Sequence, residues 1–247
     1  MNARFHAPDA TTPGSTIELP EDEGQHLTRV LRLGEGASIR VFDGRGREFT
    51  AVVTEAGRRV VRVTLGDARS PAPEARVRVT LVQAVLKGDG MDGVIRDSVM
   101  MGAAEIQPVV TDRTEVSLDA LARGSRVTRW ERVAVSSVKQ CGRAVVPPVR
   151  PPMALDAWLA LPTPDQASRF VCVEPGAGTP AHPIGELDAR CPAVAQLLIG
   201  PEGGWSPREL PRLLAGAHPI SLGGRTLRAD TAPTVALAAL FTRWGEI

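Results

Sequence analysis

Two glycine-rich segments near the C-terminal end hold the residue types most able to do chemistry. The first is Leu197-Leu198-Ile199-Gly200-Pro201-Glu202-Gly203-Gly204-Trp205-Ser206-Pro207, and the second is Ser221-Leu222-Gly223-Gly224-Arg225-Thr226-Leu227-Arg228-Ala229-Asp230-Thr231-Ala232. Each pairs an apolar run with glycines that let a ligand approach the main chain at low steric cost. Two strand-to-loop elbows so close in sequence predict one shared pocket for a small-molecule cofactor. Glu202 and Asp230 are its carboxylates and Arg228 its cation, suited to moving a proton or holding a developing anion.

Other chemistries lack their usual motifs. Gly176-Ala177-Gly178-Thr179-Pro180-Ala181 has no third glycine and carries a proline, which argues against a dinucleotide fold. The chain has no G-x-x-x-x-G-K-[ST], no G-x-S-x-G and no H-E-x-x-H. Four scattered histidines predict no metal site. Cys141, Cys172 and Cys191 form no C-x-x-C pair, and their odd number argues for buried thiols over disulfides.

The elements that must position the elbows follow from periodicity. Ser38–Phe42 and Glu48–Val53 flank Asp43-Gly44-Arg45-Gly46, a hairpin signal, and Arg59–Leu65 adds a strand. With a short helix over Glu21–Leu31, these make a small β-barrel-like unit of the size used by RNA-binding modules. Residues 66–75, with Pro71 and Pro73, read as a linker. Beyond it, strands at Val77–Ala84, Ile106–Val110, Phe170–Val173 and Leu197–Ile199 alternate with helices at Asp89–Met101, Thr128–Gln140 and Thr231–Thr242. Ser206-Pro207-Arg208-Glu209 starts a further helix with a capping-box pattern. Such alternation predicts an α/β domain with a mostly parallel sheet. The last helix is apolar nearly all round, so it should be buried or lie at a subunit contact.

At 247 residues the chain can fill two domains, and 43% hydrophobic with 23% charged residues is ordinary for a globular protein. No uncharged stretch is long enough to span a bilayer and Met1–His6 does not open a signal peptide, so a cytoplasmic location is expected. Net charge is +1, distributed as zero over residues 1–66, −1 over 67–75, +4 over 76–150 and −2 over 151–247. All basic residues but Lys87 and Lys139 are arginine. That bias suits phosphate recognition, but GC-rich coding gives the same bias.

Taken together, the elbows resemble those of the SPOUT class of S-adenosylmethionine-dependent RNA methyltransferases. More narrowly, the chain resembles the RsmE family, which methylates ring nitrogen 3 of a uridine in 16S rRNA. His26–Leu33, Val41–Gly46, Lys87-Gly88-Asp89-Gly90-Met91-Asp92, Pro108–Arg113, Arg129-Trp130 and Gln140-Cys141-Gly142-Arg143 extend the resemblance over nearly the whole length. The chain departs from the family at Asp97, where a basic residue is usual, at Met100-Met101-Gly102 in place of Glu-Leu-Gly, and at Asp230 in place of glutamate.

The resemblance implies a PUA-like β-barrel RNA-binding domain over residues 1–70 and a SPOUT methyltransferase domain with a trefoil knot over 71–247. It implies a homodimer acting on 16S rRNA of the small ribosomal subunit. Ile199, Gly200, Gly203 and Gly204 would line one wall of the S-adenosylmethionine site, and Leu222, Gly223 and Leu227 the other. Arg4, Arg29, Arg32, Lys87, Arg113 and Arg143 are the candidate RNA contacts. Structural alternatives stand beside the catalytic roles. Glu202 could pair with an arginine or cap amides, Asp230 could cap the last helix with Thr231, and Arg228 could serve in an ion pair. Trp205 could stack on a ligand or cover the core. Rival functions are a non-catalytic RNA-binding or ribosome-assembly factor, and a methyltransferase for another RNA position or for tRNA.

Overall fold

The computed structural model describes residues 3–247; Met1 and Asn2, at the head of the stretch read for a signal peptide, lie outside the described residues. Two compact units form, one comprising residues up to Glu74 with Val135–Val146, the other Ala75–Ala134 with Pro147–Ile247. A single boundary after residue 70 therefore misses the second segment of the first unit. The expected linker also begins as strand, since one strand runs on to Arg69.

In the first unit β1 (Arg4–His6), β2 (Thr16–Glu18), β3 (Ser38–Phe42), β4 (Glu48–Ala56) and β5 (Val61–Arg69) form one sheet in the order β1-β3-β4-β5-β2. Alternation decides which face is buried. Phe49, Ala51 and Val53 of β4 and Val61, Val63 and Leu65 of β5 turn inward onto Phe5, Leu27, Ile39 and Val41. The hairpin turn is held by Asp43, whose Oδ1 accepts from the amides of Arg45 at 2.8 Å and Arg47 at 3.0 Å. Burial works to raise the Asp43 carboxyl, and these bonds with the Arg47 side chain hold it below the ordinary value. The short helix is α1 (Glu21–Gln25), and it passes into a π-helical turn at His26–Val30.

The second unit holds a seven-stranded parallel sheet of β6 (Arg78–Ala84), β7 (Glu105–Val110), β8 (Met153–Ala154), β9 (Ser168–Cys172), β10 (His182–Pro183), β11 (Val194–Ile199) and β12 (His218–Ser221). Its order is β10-β12-β9-β11-β6-β7-β8, with ladders of the parallel kind throughout. Central strands covered on both faces must be apolar throughout, which explains the unbroken runs at Phe170–Val173 and Leu197–Ile199.

One face of this sheet, through Val82, Val109, Val171 and Leu198, packs on α5 (Leu155–Leu159) and α6 (Glu209–Leu214) by Leu155, Trp158 and Leu213. On the other side α2 (Gly90–Met101) contacts α7 (Ala232–Trp244), and Phe170 of β9 meets Trp244 at 5.8 Å between ring centroids. Gly102 ends α2 at φ 105°, the left-handed cap expected there. α3 (Leu118–Arg123) precedes α4 (Arg126–Cys141), which starts in the second unit and ends in the first. The last helix is less uniform than its composition: Ala236, Leu237, Leu240 and Phe241 are buried, while Val235 and Thr242 face out. Among the described residues no helix is long and apolar enough to cross a membrane, and no three His, Cys, Asp or Glu side chains gather to hold a metal.

Candidate functional site

Strand β11 lies between β6 and β9, both earlier in the chain, so the polypeptide returns to the middle of its own sheet. Ligands of open α/β sheets bind beyond the carboxyl ends of strands at such a reversal. A cavity of about 730 Å³ opens there, lined from the ends of β6, β9, β11 and β12.

The first elbow leaves β11 at Gly200. A side chain at that position would meet the Trp205 ring 3.3 Å from its Cβ, so the glycine lets the indole fold back. Trp205 then donates from Nε1 to the Cys172 carbonyl at 2.9 Å, tying the elbow to the end of β9. It thus lines the cavity and packs against the core at once. Gly204 closes a turn by donating to the Pro201 carbonyl at 2.9 Å and takes φ 68°, where a Cβ is disfavoured.

The reciprocal bonds of the predicted capping box form in the turn just ahead of α6, whose cap position is Arg208 and not Ser206. The Ser206 amide donates to Glu209 Oε2 at 3.0 Å and the Glu209 amide to Ser206 Oγ at 3.2 Å. Glu209 is buried, and its Oε1 accepts from the Asp112 amide at 2.8 Å; Ser206 Oγ donates to Asp112 Oδ2 at 2.6 Å. The loop after β7 therefore clamps the elbow's exit. Arg208, hydrogen-bonded to Asp112, holds that carboxyl down at about 2, with Ser206 adding to the shift.

At the second elbow Gly223 takes φ 93°, and Arg228 donates from Nε at 3.2 Å and Nη2 at 2.8 Å to the two oxygens of Asp230. Asp230 Oδ1 also accepts from the Thr231 hydroxyl at 3.1 Å. The Arg228 hydrogen bond holds the Asp230 carboxyl below its ordinary value. Asp230 does not cap α7: the cap residue is Thr231, and no side chain caps that end. Facing them, Glu202 Oε1 accepts the Lys87 amide at 3.0 Å, joining the first elbow to the end of β6.

Of the residues expected at the site, Ile199, Gly200, Gly204, Leu222, Leu227, Glu202, Arg228, Asp230 and Lys87 line the cavity. Gly203 does not, because it packs on the Arg113 stem and its carbonyl accepts from Arg113 Nη1 at 2.6 Å. Gly223 is also outside the lining; it shapes the turn. Residues not anticipated include Cys172 at the end of β9, Val173 to Pro175 and Ala177 in the loop after it, and Arg225 and Thr226 beside Leu227. The signal was present in Glu174-Pro175-Gly176, a turn tripeptide directly after an apolar strand. Burial pushes the Cys172 thiol up to about 12, which disfavours the thiolate at neutral pH, whereas Cys191 is exposed, unlike the buried thiol expected of it.

The RNA candidates divide. Arg4 is corrected to a structural role: its side chain is 8% exposed, pairs with Glu48 at 2.8 Å, and donates to the Val138, Lys139, Gly142 and Arg143 carbonyls. Arg143 is likewise buried, with Nε 3.0 Å from Glu74 Oε1. Lys87 Nζ meets Glu115 at 2.6 Å, and that hydrogen bond raises its pKa. Arg29 and Arg32 are exposed and make no ion pair among the described residues.

Two family models cover the chain: one described as an RNA methyltransferase domain matches residues 73–241, and one described as an RNA methyltransferase PUA domain matches 19–66. A relative from Synechocystis, ribosomal RNA small subunit methyltransferase E, is 32% identical over 227 residues, 92% of this chain and 73% of the relative. The chain belongs to the small subunit methyltransferase E family. Two solved structures are similar over almost their full lengths. A putative methyltransferase from Legionella pneumophila, in complex with the bound cofactor SAM, has a TM-score of 0.89 at 30% identity and covers 98% of both chains. A methyltransferase E from Neisseria gonorrhoeae bound to S-adenosyl methionine has a TM-score of 0.89 at 31% identity, covering 99% of this chain and 98% of that one. In this methyltransferase E chain, the elbows that carried the sequence resemblance supply two of the strand ends around the cavity.

Proposed function

We propose that the chain transfers a methyl group from S-adenosylmethionine to ring nitrogen 3 of a uridine in 16S rRNA of the small ribosomal subunit. The carrying observation is the cavity at four strand ends, where two elbows bring Glu202, Arg228 and Asp230 together. Its volume is within the several hundred Å³ typical of cofactor sites. Ile199, Leu222 and Leu227 supply apolar walls for an adenosyl group, and the tight turns expose backbone for its polar edges. The cofactor supplies an electrophilic methyl on a sulfonium.

The ring N–H of uracil is unionised at neutral pH, so the protein must take its proton and hold the anion left on the flanking carbonyls. Glu202 is the proton acceptor in this reading. Its Oε1 is held by the Lys87 amide, leaving Oε2 for the substrate. Asp230 is the weaker base, because both oxygens are engaged and its proton affinity is lowered. It positions Arg228, whose exposed guanidinium faces the developing charge.

The same reading carries the family's trefoil knot and homodimer over to this chain. The return of β11 between β6 and β9 supports the knot. Arg29 and Arg32 take phosphate contacts on the PUA-like domain. Replacing both with alanine should weaken rRNA binding and flatten the dependence of log affinity on log salt by about 1–2, with cofactor affinity unchanged. Filter binding across a salt series checks this, and an unaltered slope would remove both residues from the interface.

A non-catalytic assembly factor is disfavoured because two of the three departures, Asp97 and Met100, are not in the cavity lining; Asp97 pairs with Arg96 at 2.7 Å instead. Incubation with tritiated S-adenosylmethionine and small subunits from a strain lacking the modification should label the rRNA. No incorporation would overturn the enzymatic reading.

A further inference from the structure

We infer that Glu174 binds the ribose of the cofactor, its carboxylate accepting hydrogen bonds from the two vicinal hydroxyls. The inference rests on the cofactor reading above and adds a polar anchor to it. Four carboxylates line the cavity. Asp89 meets Arg129 at 3.0 Å, Glu202 accepts the Lys87 amide at 3.0 Å, and Asp230 is held by Arg228 at 2.8 Å. The Glu174 side chain makes no hydrogen bond and no ion pair among the described residues, so both carboxylate oxygens are available to a ligand.

Its backbone is fixed all the same. The Val173 amide donates to the Ile220 carbonyl at 3.0 Å, which holds the chain beside β12 just past the end of β9. The Ala177 amide then donates to the Glu174 carbonyl at 3.3 Å, closing a turn with Pro175 second and Gly176 third at φ 86°, the pattern of a type II turn. Because β9 is flanked by β11 and β12, Glu174 stands between the two elbows. The side chain lies against the first of them: a Cβ built on Gly204 would sit 2.6 Å from Glu174 Oε1. The missing side chain at Gly204 is the space that the carboxylate occupies.

A strand-end acid next to a glycine elbow on the adjacent strand is how dinucleotide folds read a ribose hydroxyl. The same geometry arises here on a different sheet order. The diol presents two neutral O–H donors on adjacent carbons, matched to the two oxygens of one carboxylate. The ammonium of the amino-acid tail is a poorer match, since its own carboxylate, one carbon away, would be repelled by Glu174.

Calorimetry with three probes on wild type, Glu174→Ala and Glu174→Gln tests this. 5′-Methylthioadenosine keeps the adenosine and lacks the amino-acid tail of S-adenosylhomocysteine; its 2′-deoxy form lacks one hydroxyl. Glu174→Ala should weaken S-adenosylhomocysteine and methylthioadenosine by the same factor, about tenfold or more. The deoxy probe should bind wild type more weakly than methylthioadenosine but lose less than that factor on Glu174→Ala. Glu174→Gln, which preserves shape, should lose less than alanine and guards against an effect of folding. Equal binding by Glu174→Ala and wild type, or weakening of S-adenosylhomocysteine alone, would overturn the ribose contact while leaving the cofactor reading intact. Failure of wild type to bind either adenosyl probe would overturn the cofactor reading, and the contact with it.

Discussion

Glu202→Gln should lower kcat for methyl transfer by about 10²- to 10⁴-fold, the range a positioned general base contributes. Glutamine keeps an oxygen that can accept the Lys87 amide, the bond that at 3.0 Å joins the elbow to β6. Cofactor affinity should therefore stay within about twofold of wild type, because the variant loses its basicity and keeps its loop. Raising the pH should restore part of the rate, since uracil then ionises without help. A glutamate that merely held the loop would show neither this separation of kcat from binding nor the recovery at high pH. A kcat within about tenfold of wild type at neutral pH would remove Glu202 from the role of base.

Arg4→Ala should destabilise the first unit by about 3–5 kcal/mol, the cost of stripping one partner from a buried ion pair. Glu48, 3% exposed, would keep its charge, lose its 2.8 Å partner and be left with Arg40 at 3.8 Å. The variant also releases the carbonyls of Val138 and Lys139 in the last turn of α4, which Arg4 Nη1 meets at 2.7 and 3.0 Å. Unsatisfied carbonyls at a helix end are costly in a buried site. Urea denaturation followed by circular dichroism reads the effect. Arg4→Lys should fall between, since an ammonium keeps the charge but cannot span Glu48 and four carbonyls as the guanidinium fork does. A loss below about 1 kcal/mol, the value of a surface pair, would contradict the structural role.

The contrast between these two residues says how far the sequence reaches. Glu202 is legible because its signal is local: an apolar run, glycines and a capping box within a dozen residues fix strand, elbow and helix. The strands at Phe170 and Leu197 follow from unbroken apolarity for the same reason. Arg4 is not legible because its carbonyl partners lie 134 to 139 positions away, in the last turn of α4 and just after it, and exposed and buried arginines look alike in one dimension. That segment also makes the first unit discontinuous, which no change in composition marks. Gly203 stays out of this cavity's lining because the side chain of Arg113, ninety positions earlier, stands against it. Glu174 is silent in the sequence because an acid before Pro-Gly reads as an ordinary turn. Its meaning comes from Gly204, which only the parallel pairing of β9 with β11 brings alongside.

The identity of the product decides between the candidate reactions. Small subunits lacking the modification, incubated with the protein and S-adenosylmethionine and digested to nucleosides, should yield on mass spectrometry one 3-methyluridine per subunit, mapped to a single position of 16S rRNA. A different methylated nucleoside, or methylation of tRNA in place of the subunit, would contradict the account.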